Sequence, residues 1–222
     1  MKLFAALSPL SSTRRTLLVG AFAIAGITLL QGCVPVMFAG VGAGALMAAD
    51  RRTTGAYVDD EAIEQKISAL IGQNFGNTNH VNATSYNRNV LLTGEVQDEN
   101  VKAEAQRLAS TVKNVRAVVN ELVVGPSSSL SSRTNDTAIT TNVKAKFVNN
   151  KVFSINHVKI VTEAGIVFLL GIVTQAEADK AAEIASTSKG VRKVVRVFEY
   201  IGESEAKVID TRESTNSPLE AP

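Results

Sequence analysis

After residue 58, some apolar residues recur at helical spacing and others form short runs typical of strands. Together these two patterns predict a small α+β unit. Isoleucine and leucine recur at helical spacing in a first stripe, which consists of Ile63, Ile67, Leu70 and Ile71. The runs 81–86 and 90–96 are typical of strands, and Asn87-Arg88-Asn89 between them is typical of a hairpin turn. A second helix is predicted after Asp98, and the valine-rich segment 115–124 is predicted as a buried final strand. The predicted order is helix, strand, strand, helix, strand.

A repeat shows that the chain contains two copies of this unit. Residues 109–120 match residues 185–196 at 8 of 12 positions. Asn79-His80-Val81 also recurs as Asn156-His157-Val158. Because the matches are nearly colinear, a duplicated domain explains them better than chance does.

The second copy shows the same pattern of elements. A stripe of Ile139, Val143 and Phe147 predicts its first helix. Strands are predicted at 158–161, 166–173 and 191–200, with a second helix over 178–185. Short polar side chains are predicted to cap the first helix of each copy, either Asp59 or Asp60 and either Asn135 or Asp136.

The N-terminus is predicted to be a lipoprotein signal peptide spanning residues 1–32. Arg14 and Arg15 precede an apolar run over 17–30, which is the arrangement of an export signal. The following Leu30-Gln31-Gly32-Cys33 resembles the lipobox of bacterial lipoproteins, which implies that Cys33 is acylated. An uncleaved membrane anchor is the alternative, but a spanning helix needs about 20 apolar residues, and Gln31 and Pro35 interrupt this one.

Three further segments are predicted to lie outside the two domains. Residues 33–56 begin with the acylated cysteine and continue as an apolar, Gly/Ala-rich tether, which is either flexible or lies along the lipid surface. Residues 126–132 are predicted as a Ser-rich linker between the domains. Residues 203–222 are predicted as a disordered acidic tail, because they contain few apolar residues.

The charge distribution changes when the signal peptide is set aside. The whole chain has 23 basic and 21 acidic residues, but Lys2, Arg14 and Arg15 lie within residues 1–32. The remaining 20 basic and 21 acidic residues give a formal charge of −1, so basicity provides no argument for a nucleic-acid partner. Residues 58–125 carry 6 basic and 9 acidic side chains, whereas residues 133–202 carry 10 and 6. A basic second unit predicts contact with an anionic surface.

The repeated unit resembles the BON domain, named for bacterial OsmY and nodulation proteins. The residues that carry the resemblance are Gly94 and Gly171 at the second strand and Gly190 before the last strand, with Asn114 in place of the last glycine in the first copy. The resemblance implies an α+β fold with BON domains over 57–125 and 133–202, each αββαβ with a small three-stranded mixed sheet on two helices. It also implies a protein anchored by lipid to the outer membrane on its periplasmic face, which binds anionic phospholipid and maintains envelope integrity.

The first helix of the second domain is the predicted lipid-binding element. The proposed contacts are Ile139, Val143, Lys144, Lys146 and Phe147, in which basic side chains flank apolar ones. Ala138 stands where the resembled family commonly has an aromatic residue, which would weaken the contact. The alternative basic patch is Lys189, Arg192, Lys193 and Arg196.

A second hypothesis is a protein-interaction adaptor for envelope assembly or cell-division proteins. Its contact surface would be the acidic first domain and an exposed strand edge. An enzyme is not predicted, and neither is a cofactor or a metal site. His80 and His157 occupy equivalent positions in separate domains and are predicted to be surface or turn residues without a metal-ligating cluster.

Overall fold

The computed structural model describes residues 50–76 and 79–215, and these form part of one compact unit that begins at Val41. The first domain contains two helices and four strands. In chain order they are α1 (Thr54–Phe75), β1 (His80–Tyr86), β2 (Asn89–Val96), α2 (Glu99–Thr111), β3 (Ala117–Asn120) and β4 (Val123–Val124). α2 begins after Asp98 as predicted, and Asp98 caps it, because its carboxylate accepts from the backbone N–H groups of Asn100 and Val101.

The second domain repeats the order helix, strand, strand, helix, strand without a counterpart of β4, so its sheet has the predicted three strands where the first domain has four, and a further helix follows it. Its elements are α3 (Leu130–Val148), a 3₁₀ turn (Ile155–His157), β5 (Val158–Glu163), β6 (Ile166–Val173), α4 (Gln175–Ser186) and β7 (Lys193–Tyr200), and the last helix is α5 (Glu203–Thr215). The predicted α+β class and the αββαβ order of both copies are confirmed. None of the helices within 50–76 and 79–215 combines the length and apolar character that a membrane crossing requires.

Each domain has a small mixed sheet with the second strand in the middle. β1 pairs antiparallel with β2, and both β3 and β4 pair parallel with β2. In the second domain β5 pairs antiparallel with β6, and β7 pairs parallel with it. The predicted continuous strand 115–124 is therefore wrong in one respect: it is interrupted after Asn120, whose side chain accepts from the Leu122 N–H and donates to the Lys102 carbonyl. Beyond the interruption Val123 is 55% exposed, so the predicted burial also fails there.

Both central strands are buried on both faces, which joins the two domains through a shared core. On β2, Val90 and Leu92 pack towards the helices of their own domain, whereas Leu91 points the other way. On β6, Val167 packs towards its helices. The side chains on the opposite faces meet in one interdomain cluster, Tyr86, Leu91, Phe168, Leu170 and Ile172. The two sheets therefore pack against each other, since burying each such side chain contributes about 1.5–3 kcal/mol.

The first helix of each domain begins earlier than predicted. α1 is capped by Thr53 and α3 by Ser129, so residues 54–56 and 130–132 are helical rather than tether or linker. The predicted caps, Asp60 and Asp136, have a different function: both are buried within their helices. Each accepts two backbone N–H bonds from the β-hairpin turn of its domain, at 2.7–2.8 Å for Asp60 and 2.7–2.9 Å for Asp136. Because a carboxylate here satisfies the turn, each helix is fixed to its hairpin.

The prediction of a disordered tail is wrong for residues 203–215, which form α5. The short apolar side chain of Ala206 is 4% exposed, and Asp210 forms an ion pair with Arg51. These long-range contacts order a segment whose composition alone would not. Residues 216–222 lie outside the described residues, as do the predicted signal peptide 1–32, Cys33 and the apolar segment 34–49.

Candidate functional site

The helix α3 presents a different surface from the predicted one. Ile139, Val143 and Phe147 are only 2%, 0% and 1% exposed, and they form the core of the second domain with β5, β6 and α4. Their helical stripe is therefore the buried side of an amphipathic helix. The prediction that these three residues contact lipid is wrong for this arrangement, because they could reach a membrane only if the domain opened.

The exposed face of α3 is basic. Arg133, Lys144 and Lys146 all reach its surface, whereas its acidic residue Asp136 is buried and held by the hairpin turn. Lys146 Nζ donates to the carbonyl oxygen of Thr187 at 2.9 Å, which leaves its charge uncompensated. The face therefore has a net positive charge, although the numbers of basic and acidic residues over the whole chain are nearly equal.

Apolar side chains lie beside these charges at the C-terminal end of α3. Val148 is 65% exposed and Val152, just beyond the helix, is 49% exposed. Lys151 is exposed between them. We call Lys144, Lys146, Val148, Lys151 and Val152 the helix-end patch. Sequence reasoning missed the two valines because it assigned the lipid contact to the apolar stripe of α3. Their position outside that stripe is the signal that could have revealed them, because an apolar residue there is not needed for the core.

A groove of about 380 Å³ lies along the N-terminal part of the same face. Arg133, Thr137, Thr141 and Lys144 line it from α3, at positions that share one side of the helix. His80 of the first domain lies on the opposite wall. Glu163 of the second domain also lines the groove, so cationic, hydroxyl and carboxylate side chains meet in it.

One of the four cations in the alternative basic patch is paired with a carboxylate. Arg196 forms a 2.6 Å ion pair with Asp179, and Arg192 donates to the carbonyl oxygen of Ala164 at 3.1 Å. Lys189 and Lys193 are exposed. Arg196 already has a carboxylate partner, so Lys189, Arg192 and Lys193 are the cations that this patch offers to an anionic surface.

A buried ion network connects the start of the folded chain with the second domain. The Arg51 guanidinium, in a residue 6% exposed, contacts both carboxylate oxygens of Glu177 at 2.6 and 2.9 Å and donates to the Ile172 carbonyl at 3.0 Å. Arg51 also holds Asp210 of α5 at 2.9 Å. The neighbouring His157 ends the 3₁₀ turn and is 7% exposed, so it is a turn residue as predicted but not a surface residue.

Burial raises the pKa of Glu177, but its cationic and N–H neighbours outweigh that effect and lower the pKa to about 2. We assign the larger share to Arg51, because its contacts are shorter than the 3.6 Å between His157 Nδ1 and Glu177 Oε1. The Thr174 backbone N–H also donates to this carboxylate at 2.8 Å.

This depressed pKa predicts a loss of stability in acid. The stabilisation from ionised Glu177 is fully present above its ordinary pKa of 4.5 and is lost as the pH falls towards about 2. We expect the difference in free energy of unfolding between the wild type and Glu177→Gln to shrink from pH 6 to pH 3. Urea denaturation at the two pH values measures it. A difference that stays constant would contradict the assigned ionisation.

Three residues from both domains meet at the other end of the interface. His80 lies opposite Glu95 in the β1–β2 ladder, and its Nδ1 is 3.0 Å from Glu95 Oε2. Glu163, the last residue of β5, completes the group, and its carboxylate accepts from Asn82 Nδ2 at 3.2 Å. Burial raises the pKa of Glu163, and the carboxylates of Glu95 and Asp136 act in the same direction. The expectation that His80 has no acidic cluster around it is therefore wrong, because folding brings in a residue of the second domain.

The glycines that carry the family resemblance occupy restricted positions. A Cβ at Gly94 would lie 1.9 Å from the carbonyl oxygen of His80, and one at Gly171 would lie 2.4 Å from that of His157. Gly190 has φ +91°, and its counterpart Asn114 has φ +74°. Asparagine tolerates this region better than most residues, which explains the replacement in the first copy.

Known proteins resemble this chain in sequence over most of its length. A model of the BON domain matches residues 59–126 and 135–202. The chain is 44% identical to the outer membrane lipoprotein DolP of Haemophilus influenzae, over 78% of this chain and 90% of that protein. It is 33% identical to a 21 kDa hemolysin of Actinobacillus pleuropneumoniae, over 68% and 79% of the two chains. It is also 31% identical to the osmotically-inducible protein Y of Escherichia coli, over 68% and 78%.

These relatives confirm the location and the general role predicted from the sequence. The likeness to an outer membrane lipoprotein supports a lipid-anchored protein of the outer membrane with a role in the cell envelope. The acylation of Cys33 remains a prediction, since that residue lies outside the described chain. The two family matches coincide with the two αββαβ units of the structure. The chain therefore belongs to the BON domain family and carries two copies of the domain.

Proposed function

We propose that this lipoprotein binds anionic phospholipid through α3 of its second domain and thereby maintains the integrity of the outer membrane. The observation that carries the proposal is the helix-end patch, in which three exposed lysines and two exposed valines lie within residues 144–152. Cationic side chains attract lipid headgroups, while short apolar side chains insert at the interface. The role is one of binding rather than catalysis.

The energetics suit a protein that is already held at a membrane. Each lysine near an anionic surface contributes about 1 kcal/mol, so the three lysines of the patch contribute about 3 kcal/mol together. That is weak for a freely diffusing protein. A lipid anchor raises the local concentration of the domain at the surface, and weak contacts then become sufficient.

The test measures binding of residues 50–222, without the anchor, to vesicles of phosphatidylglycerol or of phosphatidylcholine. Both domains are kept, because an isolated second domain would expose the interdomain side chains Phe168 and Leu170. We expect the Lys144→Glu, Lys146→Glu double variant to lose at least about 30-fold in affinity for the anionic vesicles, since each lysine contributes about 1 kcal/mol. Co-sedimentation over a lipid titration measures the affinity.

The matched control is Lys189→Glu with Lys193→Glu, which changes the net charge equally on the alternative patch. It should retain most of the binding. Equal loss in both double variants would show that only net charge matters and would contradict a site on α3. Equal or absent binding of the wild type to both kinds of vesicle would contradict lipid recognition itself.

The adaptor hypothesis keeps one structural observation in its favour. β4 is hydrogen-bonded to β2, and its residues Val123 and Val124 are 55% and 40% exposed. An exposed strand with apolar side chains can accept a strand from a partner. Envelope assembly or cell-division proteins are the partner classes we propose for it. A wild type that binds neither vesicle would favour this second function.

A further inference from the structure

The group formed by His80, Glu95 and Glu163 has the composition of a metal site. It offers one imidazole nitrogen and two carboxylate oxygens, and these atoms lie within 4.8 Å of one another. Ligands on a tetrahedral zinc ion are about 3.3 Å apart, because zinc–ligand distances are close to 2.0 Å. Only small side-chain movements would therefore bring the three atoms onto one ion.

The three side chains are held by elements that fix their positions. His80 and Glu95 are direct cross-strand partners, so the β1–β2 ladder sets their separation. The Ser128 backbone N–H also donates to Glu95 Oε2 at 2.9 Å. Glu163 comes from the second domain, at the hairpin turn that the buried Asp136 carboxylate holds. A ligand here would therefore contact both domains.

One of the two carboxylates in this group lacks an ion-pair partner among the residues that the structure describes. Within that part of the chain, Glu95 has His80 as its ion-pair partner, and Glu163 has no ion pair with lysine or arginine. Arg133 and Lys144 line the same groove without bonding to either carboxylate. Two partly buried carboxylates beside one imidazole favour a cation between them.

A second observation points to an additional ligand. Thr93 Oγ1 is buried, with the residue 1% exposed, and it has no hydrogen-bond partner within the described residues. Thr93 precedes Glu95 by two residues on β2, so both side chains leave the same face of the strand. A buried unpaired hydroxyl is rare and commonly indicates a missing water or ion. A water bound to a metal ion at Glu95 could supply this partner.

We propose that His80, Glu95 and Glu163 bind one divalent transition-metal ion such as zinc. Because Glu163 comes from the second BON domain and the other two ligands from the first, this ion would link the two domains. Imidazole with carboxylate is a ligand set suited to zinc, whereas magnesium and calcium prefer oxygen alone. Water would complete the coordination. None of the three ligands belongs to the helix-end patch, so separate variants test the two proposals, although Lys144 of that patch lines the same groove.

The experiment titrates zinc into the full chain in detergent micelles after treatment with chelator, and calorimetry measures affinity and stoichiometry. We expect one saturable site, with affinity reduced at least tenfold in Glu163→Gln and in His80→Gln. Glu104→Gln is the control, because Glu104 is an exposed carboxylate on α2 paired with Arg107. It should bind zinc as the wild type does.

A thermal unfolding series keeps the test informative if a variant is destabilised. Zinc should raise the unfolding midpoint of the wild type and of Glu104→Gln but not that of Glu163→Gln, each compared with its own metal-free form. Two results would overturn the proposal. One is the absence of saturable binding, which would leave His80 as a simple ion-pair partner of Glu95. The other is unchanged affinity in both site variants, which would show only adventitious surface binding.

Discussion

Replacing Gly94 by alanine is expected to lower the free energy of unfolding by at least about 3 kcal/mol, because overpacking and an unfavourable backbone region act together. The added Cβ would lie 1.9 Å from the His80 carbonyl oxygen and 2.9 Å from its carbon, so backbone rather than a flexible side chain must move. Gly94 also has φ +113°, which side-chain-bearing residues rarely adopt. Urea denaturation followed by circular dichroism measures the loss.

Gly72→Ala is the matched control for this substitution. Gly72 lies within α1, has no atom within 4 Å of the added Cβ, and has no positive φ. Alanine is about 1 kcal/mol more favourable than glycine inside a helix, so this variant should be slightly stabilised. A Gly94→Ala variant as stable as the wild type would show that the β1–β2 ladder can separate at this point without a penalty.

The order of the elements was predictable because periodicity and the internal repeat agreed. Helical spacing at Ile63, Ile67 and Ile71 and the turn at Asn87-Arg88 are local signals, and both appear in the structure as predicted. The helix starts were not predictable in the same way. Asp60 has the composition of a cap, and only the three-dimensional position of the hairpin reveals that its carboxylate serves the turn instead.

The sequence predicted that α3 carries the candidate site, but it did not predict which side of the helix is exposed. Basic and apolar residues do alternate along α3, yet an apolar stripe is needed first for the core of a small domain. Phe147 illustrates this, since its ring packs against Phe153 with the centroids 5.0 Å apart. The residues left for a membrane are those outside the stripe, such as Val148. A sequence interpretation that assigns one stripe to both functions will misplace the contact.

The interdomain contacts were the least predictable part of the molecule. Phe168 and Leu170 alternate with residues of the domain core on β6. This strand is therefore apolar throughout, and that pattern in the sequence indicates burial on both faces. Polar partners gave no comparable signal. Glu163 lies far from His80 in the sequence, and Arg51 lies far from Glu177. These pairs come together only when the chain folds, so the sequence holds no local signal for them.

Arg51→Met should lower the free energy of unfolding by about 3–5 kcal/mol, the range measured when one partner of a buried ion pair is removed. The substitution keeps much of the side-chain volume but leaves the Glu177 carboxylate, in a residue 7% exposed, without its guanidinium. It also releases Asp210, so α5 should lose its attachment to the second domain. Hydrogen exchange should therefore quicken over 203–215 more than over β6.

The double variant Arg51→Met, Glu177→Gln separates the ion pair from the packing around it. Removing both charges leaves no buried unpaired carboxylate, because the Asp210 side chain is 42% exposed, so the double variant should recover part of the stability lost in Arg51→Met. A strictly additive loss in the double variant would contradict direct coupling between Arg51 and Glu177. Recovery of stability without slower exchange in α5 would show that the Arg51–Asp210 pair attaches this helix and that Glu177 does not. Arg51 reaches Asp210 through Nε and one terminal nitrogen and Glu177 through both terminal nitrogens, so the two carboxylates share one nitrogen.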